Sequence, residues 1–432
     1  MNVLRRPTPR TEDGVRPLGA GVPVWTLAAQ AYLVIFVLVD FDIFRVNPKP
    51  HFVLSMLMLG SIVLLAPRGL LRQVRVSTPI VMFSAWWCVS FVWSPVRGAW
   101  LNISMTQLAA MLILAIVASV LPWDRLIRTW LGIIYGTIAY TFLFTALHPG
   151  AATTLTDAST GALVNSGWRG AFPHKNTMAA FMVFGIVFVL SFERHTPRKR
   201  MAVAVMLVLV VLSRSGTGSA CLLTVMLSLY WCRRYIRETV RRGSAMIVLS
   251  FLGSIIAVGA VVSFVPAILE LYGKDRTLSG RTEIWSAALA AIRQKPWTGF
   301  GWGGVWIDPT REPTFTIVRQ LGFVVFHAHN GPLEILIELG VIGLVLYLTM
   351  FFSVMIGGWQ LLRIRPELGE VVVSYCVLIF VASASEVLVF GPWLALLVML
   401  RAMSMRAIAE DEPTPKRRHT RAVAGMREHE RR

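Results

Sequence analysis

The sequence predicts an all-α polytopic membrane protein of about twelve transmembrane helices, with one long polar loop between the ninth and the tenth. Three observations predict it. Of 432 residues, 55% are hydrophobic and 15% charged, and the mean hydropathy is +0.63. Apolar runs recur at the length, about 20 residues, that crosses a hydrocarbon core of roughly 30 Å. The basic residues are also asymmetric: if successive runs cross the bilayer, 29 of the 42 Lys and Arg fall on one side. Cytoplasmic loops carry such an excess, so both termini are expected in the cytoplasm and the polar loop outside.

In chain order, residues 1–23 read as a cytoplasmic tail. Spans then begin near Val24, His51, Ser77, Leu101, Leu126, Thr177, Met201, Ser219 and Ala245, filling residues 24–264. The first run is long and has no small-residue cleavage site, which marks a retained span rather than a cleaved signal. Residues 265–331 form the external loop. Residues 332–404 hold three further spans, beginning near Pro332, Glu370 and Phe390, and residues 405–432 a basic cytoplasmic tail. That tail, with Lys416 to Arg418 and Arg431 to Arg432, has the composition of a disordered, membrane-hugging segment. Cys88, Cys221, Cys232 and Cys376 all lie within or at the ends of apolar spans and form no disulfide framework or CxxC metal site.

The formal charge of +19 does not point to nucleic acid. The surplus sits in juxtamembrane loops and the tail, where topology and anionic lipid account for it, and no folded domain gathers it into a patch. The lipid bilayer is the expected partner.

Candidate chemistry gathers where external segments meet inward-running helices. Arg169-Gly-Ala-Phe-Pro-His174-Lys175-Asn176 precedes the span at Thr177, with Asn176 placed as its N-cap. The positive end of that helix dipole then lies beside Arg169 and Lys175, an anion-attracting corner. His327-Ala-His329-Asn330-Gly331-Pro332 repeats the arrangement, with Gly331 as cap and Pro332 in the first turn, which leaves His329 and Asn330 free for another purpose. Ser279-Gly280-Arg281 opens a segment whose Trp285, Ala288, Leu289 and Ile292 share one helical face, as in a helix lying along the membrane surface. Arg281 at its N-terminal end suits a phosphate and equally suits a lipid headgroup. Glu334 and Glu338 share one stripe of the tenth span, where a carboxylate must face protein or a wet cavity, and they are assigned to the acceptor path. Trp297, Trp302 and Trp306 fit an interfacial aromatic belt better than sugar-stacking platforms. Gly299-Phe-Gly301 lacks the following helix pattern of a nucleotide-binding loop.

Together these residues resemble the bacterial O-antigen polymerase and ligase superfamily, most closely its exopolysaccharide polymerase branch. The likeness is carried by Arg169-Gly-x-Phe-x-His174-Lys175-Asn176, by Ser279-Gly280-Arg281-x-x-x-Trp285, by Pro296 to Gly301, and by His329-Asn330-x-x-Leu333-Glu334. The family often has Ser-x-Ser followed by Arg or Lys at the eighth span; here the run is Ser213-Arg214-Ser215-Gly216-Thr217, with the cation displaced by two places. The resemblance implies a GT-C type glycosyltransferase of the bacterial inner membrane. Such an enzyme moves a glycan from an undecaprenyl-diphosphate carrier to an acceptor hydroxyl at the outer face, inverting the anomeric carbon without metal or other cofactor. The acceptor is another lipid-linked glycan in a polymerase and a different glycolipid in a ligase.

Within that expectation His329, with Asn330 beside it, is the catalytic candidate, because attack by a hydroxyl needs a base. Arg281, Arg169, Lys175 and Arg214 are assigned to the departing diphosphate, and His174, Asn176 and His327 to the substrate path. Two alternatives fit the sequence less well. A metal site at Asp40-Phe-Asp42 is disfavoured in a continuous helix, where the two carboxylates point about 200° apart. A transporter of lipid-linked glycan would place ionisable groups near the midplane, whereas these candidates gather at the ends of spans.

Overall fold

The computed structural model describes residues 24–40, 49–65, 69, 72–156, 163–165, 167–238 and 281–411. Asp42, the expected ninth span near Ala245, Ser279, Gly280 and most of both tails lie outside the described residues. A helix begins within four residues of each of the other eleven expected span starts. These are α1 (Val24–Asp40), α2 (Lys49–Leu65), α3 (Thr78–Val89), α4 (Arg97–Val120), α5 (Trp123–Leu147), α7 (Lys175–Phe192), α8 (Pro197–Leu212), α9 (Gly216–Glu238), α12 (Gly331–Ile364), α13 (Pro366–Ala382) and α14 (Gly391–Asp411). The short helices α6 (Pro149–Thr153), α10 (Arg281–Ile292) and α11 (Thr314–Leu321) lie between them. One small departure from an all-helical chain is an antiparallel pair, β1 (Thr154–Thr156) with β2 (Leu163–Asn165).

Five described helices, α4, α5, α7, α12 and α14, are long and apolar enough to cross a membrane, and α1, α2 and α3 are shorter apolar helices. Helix suits such sequences because lipid offers no partner for a free backbone N–H or C=O. At the centre stands α7, buried on every face from Met178 to Val189. Its Phe184 meets Tyr375 of α13 at 5.6 Å and Trp130 of α5 at 5.7 Å between ring centroids. The helices α9 and α12 pack on α13, and α14 packs on α4. At one end of this bundle Arg233 of α9 grips Glu370 of α13 through two hydrogen bonds of 3.0 Å, and Ser191 of α7 donates to the same carboxylate. That clamp fixes the relative register of three helices, and the candidate site lies at their other end.

The helix α12 is broken at Gly340, whose φ of 68° and ψ of −170° suit only glycine. The 296–301 segment lies over the break. Gly301 and Phe300 donate their amides to the carbonyls of Glu338 and Ile337 at 2.7 and 2.9 Å, and the Val341 amide donates to the Pro296 carbonyl at 2.8 Å. A Cβ on Gly340 would stand 2.2 Å from the Trp297 carbonyl, and one on Gly299 2.4 Å from the backbone of Glu338. The Gly-Phe-Gly stretch is therefore a backbone-to-backbone joint.

Two expectations are corrected here. The helix α10 turns its apolar face inward: Ile284, Ala287, Ala288 and Ala291 are buried against α11 and α12, and Leu289 is left exposed. Protein rather than a membrane surface covers that face. Nor do the three tryptophans act alike. Trp302 is buried between Trp87 and the edge-on ring of Phe390, with centroids at 4.0 and 3.9 Å, and Trp306 is buried in the core beneath α10. Trp297 alone of the three is exposed, at 66%.

Candidate active site

The site assembles around a turn, residues 383–386, that follows α13. Ser383 accepts the Gly331 amide at 2.8 Å on its carbonyl, Ala384 accepts from the side chain of Asn330 at 3.2 Å, and the Ser385 hydroxyl meets that of Thr217 at 2.7 Å. These bonds tie the starts of α12 and α9 to this turn. At its end Glu386, buried, accepts from Nη2 of Arg281 at 2.8 Å and from the side-chain amide of Asn176. Its second oxygen faces Nδ1 of His329 at 3.9 Å. Asn176 in turn accepts from the Ser215 hydroxyl at 2.6 Å, and Ser215 accepts the Gly218 amide at 2.9 Å. A continuous polar network thus joins residues from five separate sequence stretches.

Three histidines share this pocket. The rings of His327 and His329 stand 3.9 Å apart, and Nδ1 of His327 accepts the backbone amide of His329 at 3.2 Å. His174 lies within electrostatic reach of His327, Arg281, Arg169 and Lys175. Burial first, and then these neighbouring positive charges, push the imidazoles down, to about 4 for His174 and His327 and about 3 for His329. All three are neutral at pH 7. Burial pushes the Glu386 carboxyl up, opposed by Arg281, Asn176 and Lys175. Lys175 also lies within electrostatic reach of Arg214, so the cations of three motifs share one field.

Two of these residues hold left-handed backbone without being glycine, Arg214 at φ 52° and His329 at φ 50°. Such conformations cost on the order of 1 kcal/mol or more and persist where the surroundings impose them. At His329 the constraint comes from the capped start of α12 on one side and His327 on the other.

The capping assignments are corrected. His174, not Asn176, is the N-cap of α7: its backbone is extended and its Nδ1 accepts the Asn176 amide at 3.2 Å. Asn330, not Gly331, caps α12, its Oδ1 accepting the Leu333 amide at 3.0 Å. Glu334 and Glu338 do not line an open path. Glu334, 3% exposed, accepts the Ala328 amide at 2.7 Å, and Glu338, 5% exposed, accepts the Gly303 amide at 3.1 Å. Both carboxylates pin loops to α12. Arg169, 7% exposed, donates from Nη1 to the carbonyls of Phe172 and Pro173, which folds the loop ahead of α7.

Sequence reasoning passed over Glu386. Its signal was present: it is the lone carboxylate between the apolar runs of α13 and α14.

Residues 201–348 match the O-antigen ligase family. The chain is also similar to the exopolysaccharide production protein ExoQ of Rhizobium meliloti (strain 1021), 26% identical over 334 residues, which covers 73% of each chain.

Proposed function

From the premise that the chain belongs to the O-antigen ligase and polymerase family, in its exopolysaccharide branch, we propose that it polymerises undecaprenyl-diphosphate-linked oligosaccharide repeats into a surface polysaccharide. It is a membrane enzyme of the glycosyl-transfer type, acting on a lipid-linked glycan and an acceptor. The finer reading is a GT-C enzyme of the bacterial inner membrane, with twelve spans, cytoplasmic termini and its site at the periplasmic face. The observation that carries it is the single pocket in which Glu386 joins Arg281, Asn176 and His329.

In this reading the acceptor hydroxyl attacks the anomeric carbon from the face opposite the diphosphate. The glycosidic carbon–oxygen bond to the diphosphate breaks, its electron pair leaves on phosphate oxygen, and the configuration inverts. His329 takes the hydroxyl proton. With Nδ1 turned toward Glu386, Nε2 is the nitrogen left for the acceptor, and the carboxylate stabilises the imidazolium that forms. Burial and the neighbouring Arg281 hold His329 at about 3, too acidic for a strong base. A bound diphosphate brings negative charge that offsets Arg281, raising the affinity of His329 for a proton when donor is present.

Arg281 is the principal diphosphate ligand, and Lys175 and Arg214 extend the positive field toward it. Oriented cations at a developing charge are worth far more in such a pocket than in water. His174, His327, Asn176 and Asn330 position the others, and Arg169 shapes the loop and adds its charge. Glu334 and Glu338 hold the scaffold.

A ligase would use the same donor and differ in acceptor. Incubation of the purified protein with an undecaprenyl-diphosphate oligosaccharide, alone and with an added glycolipid acceptor, separates the two by product mass. A ladder of lengthened lipid-linked chains supports the polymerase. Transfer only to the added acceptor replaces it with the ligase, and no transfer at all overturns both.

A further inference from the structure

At the end of the bundle away from the active site, a cleft opens between α1 and α5. Its deeper part, about 560 Å³, is lined by residues that include Gln30, Val34, Gly132, Gly136 and Tyr140. Its mouth, about 390 Å³, is lined by Leu27, Gln30, Arg125, Arg128 and Thr129. Gln30 and Thr129, hydrogen-bonded to each other at 2.9 Å across the two helices, border both parts, so the two cavities adjoin along the same helix pair. Gly132 and Gly136, one turn apart on α5, form its floor. A Cβ on either would meet nothing within 4 Å, so the groove they leave is open.

We propose that this cleft binds one anionic phospholipid, its phosphate at Arg125 and Arg128 and an acyl chain laid along Gly132 and Gly136. The order of chemistry along the cleft is that of the ligand. Cations come first, then an amide and a hydroxyl at the depth of the glycerol esters, then an apolar slot. The charge also matches. Arg128 pairs with Asp124, and Arg125 donates to the Thr26 hydroxyl at 3.1 Å, leaving one positive charge in excess among the described residues at the mouth for the single negative charge of a phosphodiester. Basic pockets between membrane helices take anionic headgroups in this way. A partner helix seated on the two glycines would use the groove but has no need of the cationic mouth.

The test is native mass spectrometry of the full chain in nanodiscs containing equal amounts of phosphatidylglycerol and phosphatidylcholine. One phosphatidylglycerol per chain is expected, retained over phosphatidylcholine by on the order of fivefold, the value of about one net surface charge. Arg125→Gln together with Arg128→Gln should erase the preference. Gly136→Leu should expel the lipid while leaving both cations in place, and Gly132→Leu should repeat that result, with thermal unfolding used to confirm that each variant folds. Equal retention of the two lipids by the native chain overturns the proposal. So does undiminished retention in both glycine variants, and so does their conversion of a dimer to a monomer with lipid unchanged, which would make the cleft a helix-docking seam.

Discussion

One oxygen of Glu386 holds the guanidinium of Arg281 at 2.8 Å while the other faces Nδ1 of His329 at 3.9 Å. A single buried carboxylate therefore addresses both the cation proposed for the leaving group and the imidazole proposed for the nucleophile. On this arrangement His329→Ala should lower kcat by on the order of 10²–10⁴, the contribution of a general base. Glu386→Gln keeps the shape but weakens a charged hydrogen bond of about 1.5 kcal/mol, so roughly a tenfold loss is expected. Product ladders read by mass give both rates, and native turnover in the His329 variant would remove its role.

Arg281 supplies a planar fork as well as a charge. Arg281→Ala should cost on the order of 100-fold or more, as for loss of a donor to transition-state charge. Arg281→Lys restores the charge without the paired geometry, and should recover only part of that loss. Full recovery by lysine would show that charge alone matters there.

Much of this arrangement was legible in the sequence. The helix starts followed from apolar length, and the clustering of His174, Arg281 and His329 followed from their common position at helix N-termini. The errors have a common physical source. Local capping grammar points to Asn176 at α7 and to Gly331 at α12, yet a neighbouring histidine caps α7 and frees Asn176 to bridge Glu386 and Ser215. At α12 the cap falls to Asn330 itself. Likewise the face of α10 shows that amphipathic periodicity does not say whether lipid or protein covers the apolar side. Glu386 was missed because the contacts that make it central reach it from residues 105 and 210 positions away.

The three histidines give a pH dependence whose sign is fixed. An unfolded chain protonates them near 6.5, whereas the folded pocket does so only at about 4 or about 3. Protons are thus bound more by the unfolded state in that interval. Stability is fully present above pH 6.5 and is lost as pH falls toward 4. Glu386, pushed the other way by burial, opposes this trend. The thermal midpoint in detergent should fall between pH 7.5 and pH 5, and the double variant His174→Asn, His327→Gln should show a shallower fall. Equal slopes in the two proteins would mean that these imidazoles do not set it.

Metal independence is a separate expectation. With Arg281 and its neighbouring cations in the role a divalent ion would fill, turnover should survive millimolar EDTA and be unchanged by added magnesium or manganese. A loss on chelation, restored by one of those ions, would bring back a metal-dependent mechanism and direct attention to Asp40 and Asp42.

The joint at Gly340 is testable through a comparison of two glycines. Gly322, the C-cap of α11, has a φ of 79°, and an added Cβ there meets nothing within 4 Å. Gly322→Ala should therefore cost only the left-handed penalty, about 1 kcal/mol. At Gly340 the conformation is open only to glycine, and the added carbon would also meet the Trp297 carbonyl at 2.2 Å. Gly340→Ala should add an overpacking cost of about 1–3 kcal/mol and displace the 296–301 segment from α12. That segment and the loop ahead of α12 are both pinned to the same half-helix, the loop through the Glu334 to Ala328 bond. The disturbance should therefore reach His329 and lower kcat as well as the thermal midpoint, whereas Gly322→Ala lowers only the midpoint. Matching effects from the two substitutions would show that the break in α12 does not support the site.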